Sequence, residues 1–257
     1  MGDNGNMMSM VSISPDFGFL HLKGNPGLWI EKNTPASHLL VKFLHLDYEG
    51  MKDDEELQIG ESIGSLSELT ELTINGTEFL KCLPKSMATL KKLQKLILEY
   101  CINLLDNFDV LMLTFTLTCL KLRDCEITSF PKSLTFLFRL TSLSLFICEF
   151  LTELPSSLSL LRRLTHISLK YCERLQSLPY TMAKLLNLKK LSIKGCASLT
   201  ELPDYLKVTH LKLIYSSINF IPSDLINLRH LHVSVDFLLE ASFENLKNSV
   251  YLHHLSI

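Results

Sequence analysis

The amino-acid sequence predicts an α/β solenoid, with a parallel β-sheet on the concave face and turns or short helices on the convex face. Two observations predict this fold. A pattern of apolar residues recurs every 23 or 24 residues through the middle of the chain, and a Leu-Pro pair or its equivalent follows most copies. A fixed period of about 20 to 50 residues is typical of proteins in which each unit stacks on its neighbours.

The repeat has the form apolar-x-x-apolar-x-apolar-x-x-Cys in its best copies. Residues three and five positions after the start share one side of a short strand, because strand side chains alternate between faces. Regular copies begin at Leu93, Leu117, Leu140, Leu164 and Leu188, and weaker ones at Phe17, Val41, Leu69, Val208, Leu228 and Leu252. This pattern and period are those of the leucine-rich repeat.

The second half of the repeat predicts how the chain returns to the next strand. An apolar residue precedes Pro84, Pro131, Pro155, Pro179, Pro203 and Pro222. Proline fixes φ and lacks an N–H, so it suits the start of a turn or short helix outside the sheet. Polar residues two positions later are predicted to cap that first turn, namely Ser86, Ser133, Ser157, Thr181 and Asp224.

The repeats set the domain organisation. Residues 1–40 are predicted to form an N-terminal cap or an irregular first repeat, and residues 41–257 a leucine-rich-repeat domain truncated in its last repeat. The acidic run 53–56 falls in a stretched repeat and is predicted to be a solvated loop.

Composition favours a globular chain inside the cell. The 257 residues are 47% hydrophobic and 20% charged, with a formal net charge of −2. Neither a signal peptide nor an apolar stretch long enough to span a membrane is present. Seven cysteines without a C-x-x-C pair indicate reduced thiols. We therefore expect a cytoplasmic or nuclear location and no membrane span.

Five of the cysteines occupy the same position of successive repeats. Zinc sites usually bring their ligands in close pairs, whereas these residues occur once per repeat. We predict buried structural thiols at Cys101, Cys125, Cys148, Cys172 and Cys196. No metal site and no cofactor are expected.

One motif of hydrolytic enzymes occurs by sequence. Residues 60–64 match G-x-S-x-G, which in hydrolases places a nucleophilic serine between a strand and a helix. Ser62 aligns with Ser86 and Ser157 on the convex side of the repeat, so we interpret it as a turn residue. No catalytic residues are predicted, and the chain is not expected to be an enzyme.

A partner surface is predicted on the concave side. Strand positions that face outward from residue 164 onward carry lysine, arginine and histidine and no acidic residue. Aromatic side chains at the seventh position after the repeat start are also predicted to face solvent, namely Tyr48, Tyr100, Tyr171 and Tyr215. Aromatics and arginine are favoured at protein interfaces. The predicted partner-binding residues are Tyr100, Phe146, His166, Lys170, Tyr171, Lys189, Lys190, Lys194, His210, Lys212, Tyr215, Arg229, His230 and His232. The positive charge of this partner surface is expected to grow as pH falls through about 6.5.

The combination of L-x-x-L-x-L-x-x-C with L-x-x-L-P-x-S resembles the repeat region of plant intracellular immune receptors of the nucleotide-binding, leucine-rich-repeat class. The resemblance covers roughly residues 60–235 and is strongest in LTELPSSLSLLRRLTHISLKYCERLQSLP. It implies a sensor and autoinhibitory module that binds a pathogen effector, a guarded host protein or the receptor's nucleotide-binding domain. No phosphate-binding G-x-x-x-x-G-K-[ST] loop is present.

A second interpretation stays open. Stand-alone plant repeat proteins similar to the Ras group also use Leu-Pro motifs, and a chain of that kind would act as an intracellular scaffold or signalling adaptor. Both interpretations predict an acidic protein surface as the partner and neither predicts nucleic acid. The oligomeric state is left open.

Overall fold

The computed structural model describes residues 10–14, 18–24, 40–48, 59–76, 82–102, 116–130, 136–218, 220–234 and 243–257. The chain divides into two compact units, Met1–Thr118 and Cys119–Ile257. Each unit contains a run of short strands that pair in the order in which they occur along the chain.

The first unit contains strands β1 (Met10–Ser14), β2 (Phe19–Lys23), β3 (Phe43–Asp47), β4 (Glu71–Asn75) and β5 (Lys95–Glu99). β2 to β5 pair in parallel and without a register shift, so that Leu20, Leu44, Leu72 and Leu96 form one row. β1 differs, because it pairs antiparallel to β2. An antiparallel strand therefore pairs along the edge of the first parallel strand, and the N-terminal cap stays a prediction.

The second unit contains β6 (Cys119–Arg123), β7 (Ser142–Phe146), β8 (His166–Lys170), β9 (Lys190–Lys194), β10 (His210–Ile214), β11 (His230–Val233) and β12 (His254–Ser256). All neighbouring strands of this unit pair in parallel and in register. Equivalent residues of successive repeats thus lie side by side.

The core forms because leucine and its relatives alternate with polar residues. In β8, Ile167 and Leu169 are at most 1% exposed, whereas His166, Ser168 and Lys170 face outward. The loops add further buried rows, such as Leu151 and Leu175 after the strands. Burial of each leucine side chain contributes about 1.5–3 kcal/mol, and every row is shared between neighbouring repeats.

The cysteine at the end of each regular repeat points into this core. All five of these thiols are at most 1% exposed. The Cys172 Sγ donates to the carbonyl of Lys170 at 3.7 Å, and the Cys196 Sγ lies 3.8 Å from the carbonyl of Leu169 in the preceding repeat. A hydrogen bond with the Cys148 thiol, together with burial, raises the pKa of Cys172 to about 12. This thiol therefore stays protonated.

The residue before the cysteine makes the turn into the core possible. Tyr100, Asp124, Ile147 and Tyr171 have φ between 52° and 55°, and Gly195 has φ 64°. Tyr215, which precedes Ser216 at the same repeat position, has φ 47°. This left-handed conformation is uncommon for residues other than glycine. It recurs at the same repeat position, which shows that the turn geometry imposes it.

The return segments contain short 3₁₀ helices, as the Leu-Pro motif predicts. The described ones are Glu61–Ser65, Lys85–Thr89, Ser156–Leu160, Tyr180–Lys184 and Phe243–Asn248. Pro84, Pro155 and Pro179 each occupy the N-cap position of the helix that follows. Asp224 follows Pro222 within a turn.

The predicted capping is wrong. Ser86, Ser157 and Thr181 lie inside the 3₁₀ helices, and no side chain caps the three N-termini that follow proline. The Thr181 hydroxyl instead donates to the carbonyl of Ser156 in the preceding repeat at 2.8 Å. Proline occupies the position that a capping serine would need, so the polar residue links repeats.

The predicted α/β leucine-rich-repeat solenoid is confirmed as a fold class. The boundary at residue 40 stays a prediction, although β2 already pairs as a repeat strand. The acidic run 53–56 and Ser133 lie outside the described residues.

Candidate functional site

The outward side of β8 to β12 is the candidate site. Here "the basic face" means the outward side chains of these five strands, together with Lys189 before β9 and Arg229 before β11. The outward positions are His166, Ser168, Lys170, Lys190, Ser192, Lys194, His210, Lys212, Ile214, His230, His232, His254 and Ser256. None of these positions, all of which the structure describes, is acidic.

Most of the predicted partner-binding residues lie in the second unit. His166, Lys170, Lys189, Lys190, Lys194, His210, Lys212, Arg229, His230 and His232 belong to the basic face, while Phe146, Tyr171 and Tyr215 lie at the carboxyl ends of their strands. Tyr100 belongs to the first unit. Its side chain is 44% exposed.

One aromatic residue expected at this edge is not on the surface. Tyr48 aligns with Tyr100 and Tyr171 in the repeat, and the sequence therefore predicts an exposed ring. It is completely buried, and burial raises the pKa of its hydroxyl above the usual range. The repeat at Val41 departs from the regular pattern, and its tyrosine fills the core there.

Histidines of neighbouring strands stack because the register brings them side by side. His210 and His230 have ring centroids 4.2 Å apart and an interplanar angle of 16°. His253 and His254 approach His230 with ring centroids at 4.8 and 5.5 Å. Four imidazoles from three successive repeats thus form one cluster.

Two adjacent aromatic rings with a cation at each end follow the carboxyl ends of β6 to β9. The Arg123 guanidinium lies 5.1 Å from the Phe146 ring centre, and Phe146 meets Tyr171 edge-on at 5.6 Å. The Lys194 ammonium lies 5.3 Å from the Tyr171 ring centre. A Cβ atom on Gly195 would come within 2.6 Å of that ring, so glycine leaves room for Tyr171 to lie flat across the next repeat.

A groove of 260 Å³ crosses the basic face between β9 and β12. Its walls include Lys190, His210, Lys212, His230 and His254. Among the described residues, no carboxylate forms an ion pair with Lys190 or Lys212. The groove therefore concentrates positive charge that no described carboxylate neutralises through an ion pair.

Four histidines of this face have pKa values below the usual value of a histidine. Partial desolvation and the neighbouring cations lower the pKa values of His166, His210, His230 and His232. The prediction that the basic face gains positive charge as pH falls through about 6.5 is therefore wrong, because these four histidines become protonated only at lower pH. Protonation requires a more acidic solution, or a bound anion that favours the charged form.

These shifts predict that acid destabilises the second unit. Below about pH 6.5 the unfolded chain protonates these histidines before the folded chain does, so stability falls as pH falls through that value. A His210→Gln, His230→Gln variant should show a shallower decline of the thermal midpoint between about pH 7.5 and 5.5. A decline of equal slope in the variant would show that these two imidazoles do not carry the effect.

Sequence reasoning missed part of the groove. Ser192 and Ser256 line it beside the cations, and the Ser256 hydroxyl lies 2.6 Å from His232 Nδ1. Serine is frequent on exposed strands and carries no functional signal by itself. The strand register could have identified these serines as groove residues, because it places each serine next to a basic residue on the neighbouring strand.

The cysteines outside the buried row have different surroundings. Cys119 begins β6 at an outward, half-buried position, and Cys82 is exposed. Across the part of the chain that the structure describes, no group of three or more His, Cys, Asp or Glu residues is arranged to hold a metal ion. No helix among these same residues is long and apolar enough to cross a membrane.

Solved structures share this architecture at low sequence identity. A leucine-rich-repeat protein of Leptospira interrogans is 22% identical, with a TM-score of 0.56 over 86% of this chain and 61% of that one. The leucine-rich-repeat domain of the type III effector XopL is 17% identical, with a TM-score of 0.51 over 95% and 77%. This chain thus spans about three fifths of the Leptospira protein.

TLR13, solved in a complex with ssRNA13, is 18% identical, with a TM-score of 0.64 over 87% of this chain and 33% of TLR13. No protein-family model matches the sequence, and no curated protein matches it. At these identities the likeness establishes the fold. The chain has the fold of a leucine-rich-repeat solenoid.

Proposed function

We propose that this chain is a non-catalytic recognition module that binds a partner protein through the basic face. The observation that carries the proposal is the absence of any acidic residue among the outward positions of β8 to β12, beside six lysines and arginines of that face that form no ion pair with a described residue. Lysines that a chain leaves unpaired on a rigid sheet favour a partner of opposite charge.

The partner's expected chemistry follows from that charge. An acidic protein surface would be steered toward the basic face and would gain contacts with the aromatic residues along its edge. Tyr171 and Tyr215 are positioned to contribute such contacts, because their rings lie at the ends of β8 and β10.

The resemblance to plant nucleotide-binding, leucine-rich-repeat receptors suggests a biological role for the proposed module. On that basis the module would act in the cytoplasm or nucleus as the sensor and autoinhibitory part of an immune receptor. Its partner would be a pathogen effector, a guarded host protein or a nucleotide-binding domain. A stand-alone adaptor would instead form a constitutive complex with a signalling protein, and size-exclusion chromatography of the native protein distinguishes the two.

Charge reversal tests the proposal. Lys189→Glu, Lys190→Glu and Lys194→Glu together should reduce capture of acidic partner proteins at least tenfold, because three favourable charge pairs become repulsive. The matched control is Arg162→Glu, Arg163→Glu and Lys184→Glu. It makes the same charge change at exposed positions of the return segments, and it should bind as the original chain does.

The readout is quantitative mass spectrometry of captured proteins, together with thermal denaturation of each variant. A lower thermal midpoint with unchanged binding by the protein that remains folded would assign the three lysines a structural role. That result would contradict the proposal.

A further inference from the structure

The groove on the basic face has the chemistry of an anion site. Two lysines from adjacent strands, Lys190 and Lys212, flank imidazoles and serine hydroxyls within 260 Å³. Lysine ammonium groups donate and never accept, and the hydroxyls of Ser192 and Ser256 can donate as well. Every one of these groups therefore suits an acceptor-rich ligand.

The hydrogen bonds of His210 fix which of its nitrogens faces such a ligand. The Thr209 hydroxyl donates to the carbonyl of Lys189 at 3.1 Å. The same hydroxyl oxygen lies 2.9 Å from His210 Nδ1. With its hydrogen directed to that carbonyl, the oxygen accepts from Nδ1, which assigns the neutral ring the tautomer with its hydrogen on Nδ1. A neutral His210 then has a bare Nε2, which can only accept.

An anion that contacts Nε2 of His210 would meet a lone pair unless that nitrogen becomes protonated. Bringing an anion into the groove therefore favours uptake of a proton. His166 has the same arrangement, since the Thr165 hydroxyl donates to the carbonyl of Thr141 and lies 2.7 Å from His166 Nδ1. The hydrogen bond between a threonine hydroxyl and the next residue's imidazole Nδ1 thus occurs on two strands of the basic face.

We propose that this groove binds the dianionic phosphoryl group of a phosphorylated side chain on the partner protein, and that binding takes up a proton at His210. The inference rests on the proposed function, because it specifies the acidic group that the basic face recognises. A phosphate monoester carries nearly two negative charges and three strong acceptor oxygens.

The charge of the groove discriminates between anions. Two permanently charged lysines match a dianion, whereas a single carboxylate would leave one of them uncompensated. A phosphodiester carries only one charge per phosphate, so a nucleic-acid backbone satisfies the groove less well. The imidazole and aliphatic carbons of the walls pack against the carbon atoms that carry the phosphoryl group.

Several charged or titratable groups face His210 and set its response. They come from the strands packed on either side and from His210's own strand, and they are His166, Lys189, Lys190, Lys212, Arg229, His230, His232, His253 and His254. All are cationic when protonated. Desolvation and these neighbours lower the pKa of His210 and so favour its neutral form in the free protein, and a bound dianion would favour the protonated form instead.

Calorimetry with small probes tests the inference without the unidentified partner. N-acetyl-phosphoserine amide should bind the intact chain at least tenfold more tightly than N-acetyl-glutamate amide. Its apparent binding enthalpy near neutral pH should depend on the ionisation enthalpy of the buffer, with the sign of proton uptake, and His210→Gln should reduce that dependence.

Variants locate the site. Lys190→Met and Lys212→Met should each weaken binding of N-acetyl-phosphoserine amide at least fivefold. The matched control, Lys121→Met, removes the same charge from the outward side of β6, three strands and about 14 Å from β9. It should leave binding unchanged. Thermal denaturation of each variant shows whether it is folded.

Equal binding of the phosphoserine and glutamate probes, or tighter binding of a single-stranded oligonucleotide than of either, would overturn the inference. Failure of the probe to bind, while charge reversal still abolishes partner capture, would overturn the inference and leave the proposed function standing. Binding of the probe with unaltered partner capture would support the groove's chemistry and contradict the proposed function.

Discussion

Replacing Cys172 by aspartate is expected to lower the free energy of unfolding of the second unit by at least about 3 kcal/mol at neutral pH. The thiol is completely buried between the rows of leucines, and a carboxylate at that position loses its hydration without gaining a cation. The measurement is urea denaturation followed by circular dichroism.

The matched control is Cys119→Asp. Cys119 occupies an outward, half-buried position of β6, so its carboxylate would stay hydrated. We expect a loss of less than about 1 kcal/mol, within the range that strand propensity spans. Equal losses for the two variants would show that the row of repeat cysteines is not the dry interior that the structure describes.

Truncating Leu169 to alanine is expected to cost about 2–5 kcal/mol. Its side chain is completely buried in β8, in register with Leu145 and Ile193 on either side. The truncation removes apolar contact and leaves a cavity that the neighbouring repeats cannot fill without moving their strands. Because solenoid repeats stabilise only their neighbours, the loss should fall on the second unit.

The control for this variant is Ser168→Ala on the outward side of the same strand. It should change the free energy of unfolding by less than about 0.5 kcal/mol. Hydrogen exchange of β7 to β9 shows where protection is lost in Leu169→Ala. Loss confined to β8, with normal protection of β7 and β9, would contradict the coupling between repeats.

The sequence alone predicted the positions of the strands because each repeat satisfies the same physical demand. Leu143, Leu145 and their equivalents must face inward at every repeat, so their spacing carries over directly into the parallel register. The buried cysteines follow from the same frame. Even the weak copy at Phe17 corresponds to a strand, β2, that pairs as predicted.

Features that depend on one side chain's surroundings were not predictable in this way. Tyr48 occupies a repeat position where other tyrosines are exposed, yet it is buried because its own repeat is irregular. The capping prediction failed because proline itself takes the N-cap position. In both cases, the local structure overrode a general preference: the exposure of tyrosine at this repeat position, and the use of serine as a capping residue.

The candidate site was predictable in composition and not in geometry. Lys190, His210 and His230 are recognisable as outward strand residues, but the stack of imidazoles and the groove need the distance between strands and their rotamers. The lowered pKa values of these histidines likewise arise from desolvation and from histidines and cations that lie far apart along the chain. Sequence patterns contain no such distances.

Photo-crosslinking tests the central claim, that the basic face is the contact surface, most directly. A benzophenone side chain in place of Ser192 lies within the groove, and one in place of Arg163 lies on an exposed return segment. After irradiation with native extract, we predict a discrete covalent adduct with an acidic protein from position 192 and none from position 163. Adducts from position 163 with none from position 192 would contradict the account.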